Sequence, residues 1–258
     1  LLGDEVHLPY DRPPLSKHVL RGEREPVLLR PEGEYAELDL DLRLGVAATG
    51  LDLGTRQVLT TGDPVAFDQL VVATGATPRR LPGSPGQVLR TLDDSQGLAP
   101  LLAPGRVIGV VGAGLIGCEV AASARAKGAE VHVVDLLPRP LVRVLGDDVA
   151  ARVQQLHEEH GVRFHLGTSV VHASGTHLEL GDGTVLELDV LLEAMGVVPT
   201  TGWLATSGLA VDDGVVCDEQ GRAAEGVWAV GDVAKRVKPL LGMERFSSSP
   251  PLGQAVQL

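Results

Sequence analysis

Residues 107–117 read Val-Ile-Gly-Val-Val-Gly-Ala-Gly-Leu-Ile-Gly, an apolar run that breaks into glycines at 112, 114 and 117 and then continues with helical periodicity. Few backbones accept that string. A short strand must turn at once into a helix, and each glycine has its own task. Gly112 allows the tight reversal, Gly114 leaves the backbone approachable where a Cβ would stand, and Gly117 lets the helix pack closely on the strand. The helix start at Leu115 and Ile116 presents N–H groups without intrahelical partners and the positive end of the helix dipole, which favour a phosphate. A second apolar strand over 130–134 ends at Asp135, 23 residues after Gly112. A carboxylate there is placed to accept from a ribose 2′-hydroxyl and to repel a 2′-phosphate. Together these features specify a βαβ unit for a dinucleotide, with NAD(H) favoured over NADP(H) although Arg139 and Arg143 stand nearby.

The pattern after residue 106 alternates: strand 107–111, helix about 115–127, strand 130–134, then a helix near 148–160 with apolar Val149, Val153 and Leu156. Segments 176–180 and 184–188 flank Gly181-Asp182-Gly183, a hairpin whose glycines are expected to supply positive φ. A buried strand follows over 190–194. Earlier in the chain, alternating runs between Tyr35 and Val72, including Leu38-Asp39-Leu40-Asp41-Leu42 and residues 58–61, predict strands. Residues 80–105 hold Pro82, Gly83, Pro85, Gly86, Pro100, Pro104 and Gly105 and are expected to form a linker between domains. An internal echo also stands out. Residues 69–78 (Gln-Leu-Val-Val-Ala-Thr-Gly-Ala-Thr-Pro) resemble 189–199 (Asp-Val-Leu-Leu-Glu-Ala-Met-Gly-Val-Val-Pro), as two related nucleotide domains would produce.

With 258 residues, 44% of them apolar, the chain can fill one large core or two ordinary ones. Its longest apolar stretch, 107–126, is interrupted by glycines, Glu119 and Arg125, so no bilayer-spanning helix and no membrane partner are expected. A net charge of −12 lacks the clustered Lys and Arg that a nucleic-acid partner requires. Cys118 and Cys217 form no C-x-x-C or C-x4-C pair and read as buried apolar side chains in a reducing compartment, the cytoplasm. His157 and His160 stand beside Glu158 and Glu159 and read as a solvated helix face, not a metal site. The sequence opens on Leu-Leu-Gly without a Met, so a trimmed chain is expected.

Three further blocks extend the reading: Pro9-Tyr10-Asp11-Arg12-Pro13-Pro14-Leu15-Ser16-Lys17, Val71-Val72-Ala73-Thr74-Gly75-Ala76-Thr77-Pro78-Arg79, and Gly226-Val227-Trp228-Ala229-Val230-Gly231-Asp232-Val233-Ala234. With the fingerprint and Glu119 just after it, they resemble the flavin-dependent pyridine nucleotide oxidoreductases that serve as ferredoxin reductases of oxygenase systems. That group includes rubredoxin reductases and apoptosis-inducing factor. The resemblance implies an α/β fold of two Rossmann-like nucleotide-binding domains, the glutathione-reductase-like FAD/NAD(P) arrangement, truncated at both ends, with the FAD's own Gly-rich turn before residue 1. It divides the chain into 1–99 (first part of the FAD-binding domain), 100–199 (NAD-binding domain) and 200–258 (second part of the FAD-binding domain). For FAD it implies Asp4 and Glu5 at the ribose, Arg12 and Lys17 reaching the cofactor, Ala48 near the adenine, Thr74 and Gly75 in the turn of the second block, and Asp232 on the ribityl chain. For NAD it implies Gly112, Gly114, Leu115, Ile116, Gly117, Asp135, Arg143 and Gly196. Lys17 and Glu119 match a pair beside the isoalloxazine ring, where charge tunes the flavin and where catalytic residues are expected.

The activity so implied is hydride transfer from NADH to FAD, followed by single-electron transfer to a ferredoxin-like or rubredoxin-like iron–sulfur partner, with a homodimer left open. Disulfide-reducing relatives carry a cysteine pair where this chain has Pro13-Pro14-Leu15-Ser16-Lys17, which argues against glutathione-type reduction. Two segments depart from the family pattern: Phe246-Ser247-Ser248-Ser249-Pro250-Pro251 replaces one with Trp and Asn-Ala, and Glu193-Ala194-Met195-Gly196 stands where Gly-Ile-Gly is common. The alternatives are the NAD(P)H/FAD portion of an assimilatory nitrite reductase and a non-catalytic NAD-binding module.

Overall fold

The computed structural model describes residues 1–236 of the chain, so the Ser-rich segment at 246–251 lies outside the described residues. The chain folds as two compact units. One comprises Leu1–Leu8, Pro31–Thr77 and the chain from Val197 on; the other comprises Pro9–Arg30 and Pro78–Gly196.

The second unit is built on a four-stranded parallel sheet in the order Val162–Leu166, Glu130–Asp135, Val107–Val111, Val190–Glu193. Successive side chains of a strand point to opposite faces, and both faces are covered. On one, Ile108, Val110, Val131, Val133, Val190 and Leu192 pack with Val120, Ala121 and Ala124 of the helix Leu115–Ala126. On the other, Val111, Val134 and Leu191 pack with Leu178, Leu180, Leu186 and Leu188. Those leucines belong to or follow a three-stranded antiparallel sheet, Val170–Ala173, His177–Leu180 and Val185–Glu187. In chain order, the first strand has the second on one side and the last on the other. Strand order therefore reverses between Val107–Val111 and Val190–Glu193, and the crevice beyond the carboxyl ends at such a switch point is where open α/β sheets bind ligands.

Four expectations change in this frame. Residues 80–105 are not a bare linker, because Leu92–Leu98 is a helix opened by a capping box. The Thr91 hydroxyl accepts from the Asp94 N–H at 3.1 Å, and the Asp94 carboxylate accepts from the Thr91 N–H at 2.8 Å. This helix buries Leu92, Ser95 and Leu98, and it lies in the unit that also holds Pro9–Arg30, whereas the resemblance drew a boundary at 99/100. The helix near 148–160 begins earlier, at Val142, and runs to Glu159 with a kink at Gly146. In the hairpin only Gly183 takes positive φ; Gly181 is small for another reason, since a Cβ there would stand 2.7 Å from the Ser169 hydroxyl. Residues 38–42 form no strand: the chain makes a helix at Glu32–Glu37, turns through Asp39 at φ 52°, and leaves Leu38 and Leu40 exposed.

The first unit is made of short strands from three chain segments. Ala48–Asp52, Gln57–Thr60 and Val65–Ala66 form an antiparallel sheet, and Leu70–Val72 runs parallel to Val227–Ala229. Leu2–Gly3 runs parallel to Arg43–Leu44, and Val215–Cys217 to Ala234–Arg236. Leu51, Val58, Val72, Leu204, Val215, Val227, Ala229 and Val233 form the core. The two segments of the internal echo end in return strands, Ala76–Pro78 and Val197–Pro199, which pair with each other. Among the described residues, no helix is long and apolar enough to cross a membrane.

Candidate functional site

The glycine turn joins the strand Val107–Val111 to the helix Leu115–Ala126 under tight steric limits. Gly112 sits at φ 108°, and a Cβ on it would stand 2.3 Å from the Ala194 carbonyl oxygen. A Cβ on Gly117 would stand 1.9 Å from the Gly112 carbonyl oxygen, so a side chain at either place requires the backbone to move. Gly114 differs: it is extended, it is the N-cap of the helix with no capping side chain, and a Cβ there would enter open space. Leu115 and Ile116, in the first helical turn, are partly exposed. An uncapped helix start beside open space fits the pyrophosphate of a dinucleotide.

Asp135 ends the neighbouring strand and fixes this turn. Its Oδ2 accepts from the Ala113 N–H at 2.6 Å and its Oδ1 from the Leu137 N–H at 2.8 Å. Each carboxylate oxygen has two lone pairs, so both retain capacity for a further donor. Leu141 N–H donates to the Ala113 carbonyl at 2.9 Å, which ties the loop after Asp135 to the same turn. Arg143 follows, exposed, in the first turn of the helix Val142–Glu159, while Arg139 pairs with Asp147 at 3.6 Å.

Lys17 and Glu119, far apart in sequence, meet: Lys17 Nζ lies 2.7 Å from Glu119 Oε2, both partly exposed. Lys17 also donates to the Pro13 carbonyl at 3.1 Å. The short helical turn Pro13–Ser16 that carries Lys17 is held by three serines that belong to no local motif. Ser16 donates its hydroxyl to Glu119 Oε2, Ser123 Oγ donates to the Ser16 carbonyl at 2.8 Å, and Ser95 Oγ donates to the Leu15 carbonyl at 2.8 Å. All three serines are buried. Lys127 donates to the carbonyls of Ala99 at 2.7 Å and Leu20 at 3.4 Å. Glu119, Ser123 and Lys127 are four apart, one face of a helix, and that spacing was the available signal. Arg12 donates to the Arg90 carbonyl at 2.9 Å and to the Tyr10 hydroxyl at 3.3 Å, within the same unit.

In the first unit, Asp4 and Glu5 follow the strand Leu2–Gly3, Thr74 and Gly75 follow Leu70–Val72, and Asp232 follows Val227–Ala229 in the short turn Gly231–Val233. All five therefore lie beyond the carboxyl ends of strands that run parallel to a neighbour, the usual place for ligand contacts. Thr74 donates its hydroxyl to the Thr200 carbonyl at 2.9 Å, and the Thr200 N–H donates to the Gly75 carbonyl at 2.9 Å. Gly231, before Asp232, has φ 70° and open space where a Cβ would be. Ala48 is half-buried and opens the strand Ala48–Asp52.

Gly196, at φ 89°, opens onto free space in the turn after the strand Val190–Glu193. The side chain just before that turn is the unexpected one. Glu193 is 2% exposed; its Oε2 accepts from the Leu81 N–H at 2.9 Å, while its buried Oε1 has no hydrogen-bond partner among the described residues. Room for it depends on Gly86, where a Cβ would stand 2.5 Å from Oε1. Cys118 and Cys217 are both buried free thiols, and burial, with the charges of Asp135 and Glu119 adding to it, pushes the Cys118 thiol up to about 12. His157 is half-buried with its ring edge-on to Phe164 at 6.0 Å, so it is not simply a solvated residue.

Comparison with known proteins agrees with this geometry. The chain matches the pyridine nucleotide-disulphide oxidoreductase family over residues 1–249. It is 42% identical to the ferredoxin reductase component of chlorobenzene dioxygenase from Cupriavidus sp. (strain PS12), an alignment covering 91% of this chain and 60% of the relative. It is 37% identical to rhodocoxin reductase from Rhodococcus erythropolis, over 91% of this chain and 58% of that protein. The crystal structure of the covalent putidaredoxin reductase–putidaredoxin complex superposes with a TM-score of 0.88 at 33% identity, covering 93% of this chain and 62% of that one. The chain thus spans about 60% of the length of these relatives. With an α/β fold of this kind, a three-glycine turn on a switch-point strand, and a match over nearly its whole length, the chain belongs to the pyridine nucleotide-disulphide oxidoreductase family.

Proposed function

We propose that this chain is part of an NADH-dependent flavoprotein reductase that passes electrons through FAD to a ferredoxin-like or rubredoxin-like iron–sulfur protein in the cytoplasm. The observation that carries the reading is the Lys17–Glu119 pair, held five residues past Gly114 on the helix whose start suits a pyrophosphate. The relatives named as ferredoxin reductase component and rhodocoxin reductase support it. In this reading Gly112, Gly114 and Gly117 with the first N–H groups of the helix hold the pyrophosphate of NADH, and Asp135 selects its 2′-hydroxyl. Arg143 and Gly196 contact the same cofactor. Asp4, Glu5, Arg12, Ala48, Thr74, Gly75 and Asp232 hold FAD. When bound, the two cofactors supply hydride transfer and single-electron release. The chain supplies orientation and charge: Lys17 and Glu119 set the electrostatic environment, and the reaction calls for no nucleophile or general base of the hydrolase kind.

The full-length protein is expected to be yellow, with flavin absorbance that NADH bleaches, and to reduce ferricyanide steadily. A protein that holds no flavin after refolding with FAD ends the reading. Asp135→Ala is expected to lower the preference for NADH over NADPH on the order of tenfold, the loss of one charge-assisted hydrogen bond. An unchanged ratio of kcat/KM values for the two cofactors would show that Asp135 does not set it.

A further inference from the structure

The Lys17–Glu119 pair cannot hold its own geometry. Both side chains are partly exposed, 39% and 27%, and an ion pair in that setting contributes about 1 kcal/mol or less. The terminal torsion of a glutamate is broad and nearly two-fold, so a flexible lysine could be served by either oxygen in turn. Ser16 breaks that symmetry. It is buried on a short helical turn, its carbonyl is fixed by Ser123 Oγ at 2.8 Å, and its hydroxyl donates to Glu119 Oε2, the oxygen that also takes Lys17. A buried hydroxyl has no water to turn to, so leaving Glu119 would cost it a hydrogen bond. Ser16 is thus gripped by two residues one turn apart on the same helix face, Glu119 and Ser123. The Ser16 hydroxyl and Lys17 Nζ both donate to Oε2, and among the described residues Glu119 Oε1 has no partner.

We propose that Ser16 is a positioning residue: by engaging Glu119 Oε2 together with Lys17, it fixes the carboxylate so that Oε1 is the oxygen presented to the cofactors. The proposal rests on the reading that Lys17 and Glu119 lie beside the flavin, and it adds a residue to which that reading gives no role.

The test uses the full-length flavoprotein and three measurements: the flavin midpoint potential, the pH profile of flavin reduction by NADH, and the split between kcat and KM. Ser16→Ala is expected to slow flavin reduction on the order of tenfold, less than the hundredfold that a 1 Å misplacement costs. KM for NADH is expected to stay unchanged, and the potential and pH profile to move in the same sense as in Glu119→Gln. Ser16→Thr, which keeps the hydroxyl, is expected to restore both. Where Ser16→Ala does not retain flavin, Ser16→Cys, with a weaker donor of similar size, carries the same measurements. A Ser16→Ala protein with wild-type potential and pH profile, beside a Glu119→Gln protein in which both shift, overturns the proposal and leaves the reading of the pair intact. If Glu119→Gln and Lys17→Met leave potential and profile unmoved, the reading of the pair fails, and the proposal with it.

Discussion

Two strand ends in this molecule use the same device with different support. After Leu70–Val72 the chain turns at Gly75, φ 64°, into the return strand Ala76–Pro78; after Val190–Glu193 it turns at Gly196, φ 89°, into Val197–Pro199. The first strand is an edge piece, with Val72 buried and Val71 58% exposed. The second is buried along its whole length, including Glu193, and the peptide after it lies where a Cβ on Gly112 would collide with it. Similar sequence thus marks a similar turn, while its cost of alteration depends on what stands across from it. A glycine facing open space carries only backbone strain; one facing a backbone carbonyl cannot be replaced without moving the sheet.

The largest effects should fall where a Cβ has nowhere to go. Gly117→Ala places a methyl on the Gly112 carbonyl, and Gly112→Ala adds a clash with Ala194 to an unfavourable φ. Each is expected to destabilise the second unit by more than about 3 kcal/mol, through overpacking against backbone that cannot relax cheaply. Gly114→Ala, facing open space, is expected to leave stability nearly unchanged and weaken NADH binding instead. Thermal unfolding with NADH titration separates the cases; equal stability losses in all three would show that the steric distinction is empty.

An intermediate effect belongs to the buried strand end. Gly86→Ala brings a methyl to 2.5 Å from Glu193 Oε1 and 2.9 Å from its Cγ. The expected cost is about 2 kcal/mol, and Glu193→Ala in the same chain should relieve it, because the methyl then fills space the carboxylate left. A double-mutant cycle by urea unfolding should return a coupling on the order of 1 kcal/mol or more, and additive effects would mean that the two residues do not meet.

These contrasts also explain what the sequence could show. The strand at 107–111 and the helix after it were legible because period-two and period-3.6 patterns meet at glycines with no alternative use. The helix Leu92–Leu98 was hidden by the prolines and glycines around it, although Thr91 and Asp94 carry a capping box. Leu38-Asp39-Leu40-Asp41-Leu42 has a strand's alternation, but among the described residues nothing covers Leu38 or Leu40, and Asp39 turns the chain away. At the candidate site, Gly114 and Asp135 follow from local spacing. The meeting of Ser16 with Glu119 and Ser123 does not, since it depends on how residues 9–30 come back to a helix about a hundred positions later.

A smaller difference is expected between the two turn glycines themselves. Gly196→Ala faces free space, so it should cost only the left-handed backbone, about 1 kcal/mol. Gly75→Ala should cost no more in backbone strain, since its φ of 64° lies nearer the left-handed minimum that other residues reach. Equilibrium unfolding of the paired variants measures this. If Gly196→Ala costs several times more than Gly75→Ala, the burial of the preceding strand reaches into its turn.

The smallest effect lies at the edge of the parallel sheet and depends on pH. His132 and His165 stack with their ring nitrogens 2.9 Å apart. His132 Nε2 lies 3.1 Å from Glu130 Oε1, and its Nδ1 faces His165 Nε2, so the two rings share one hydrogen bond. Burial, with His132 beside it, lowers the His165 pKa below its ordinary value, while Asp182 opposes the shift and Arg163 adds to it. His157 on the helix Val142–Glu159 is lowered in the same way by burial. In the unfolded chain both histidines take up a proton near pH 6.5. The folded chain binds fewer protons just below that pH, so stability is fully present above about 6.5 and declines as pH falls from there through the folded values. His165→Val should flatten the fall of Tm between neutral and mildly acid pH without removing it, because His157 contributes with the same sign. A slope that stays as steep as wild type would assign the acid sensitivity to groups other than the stacked pair.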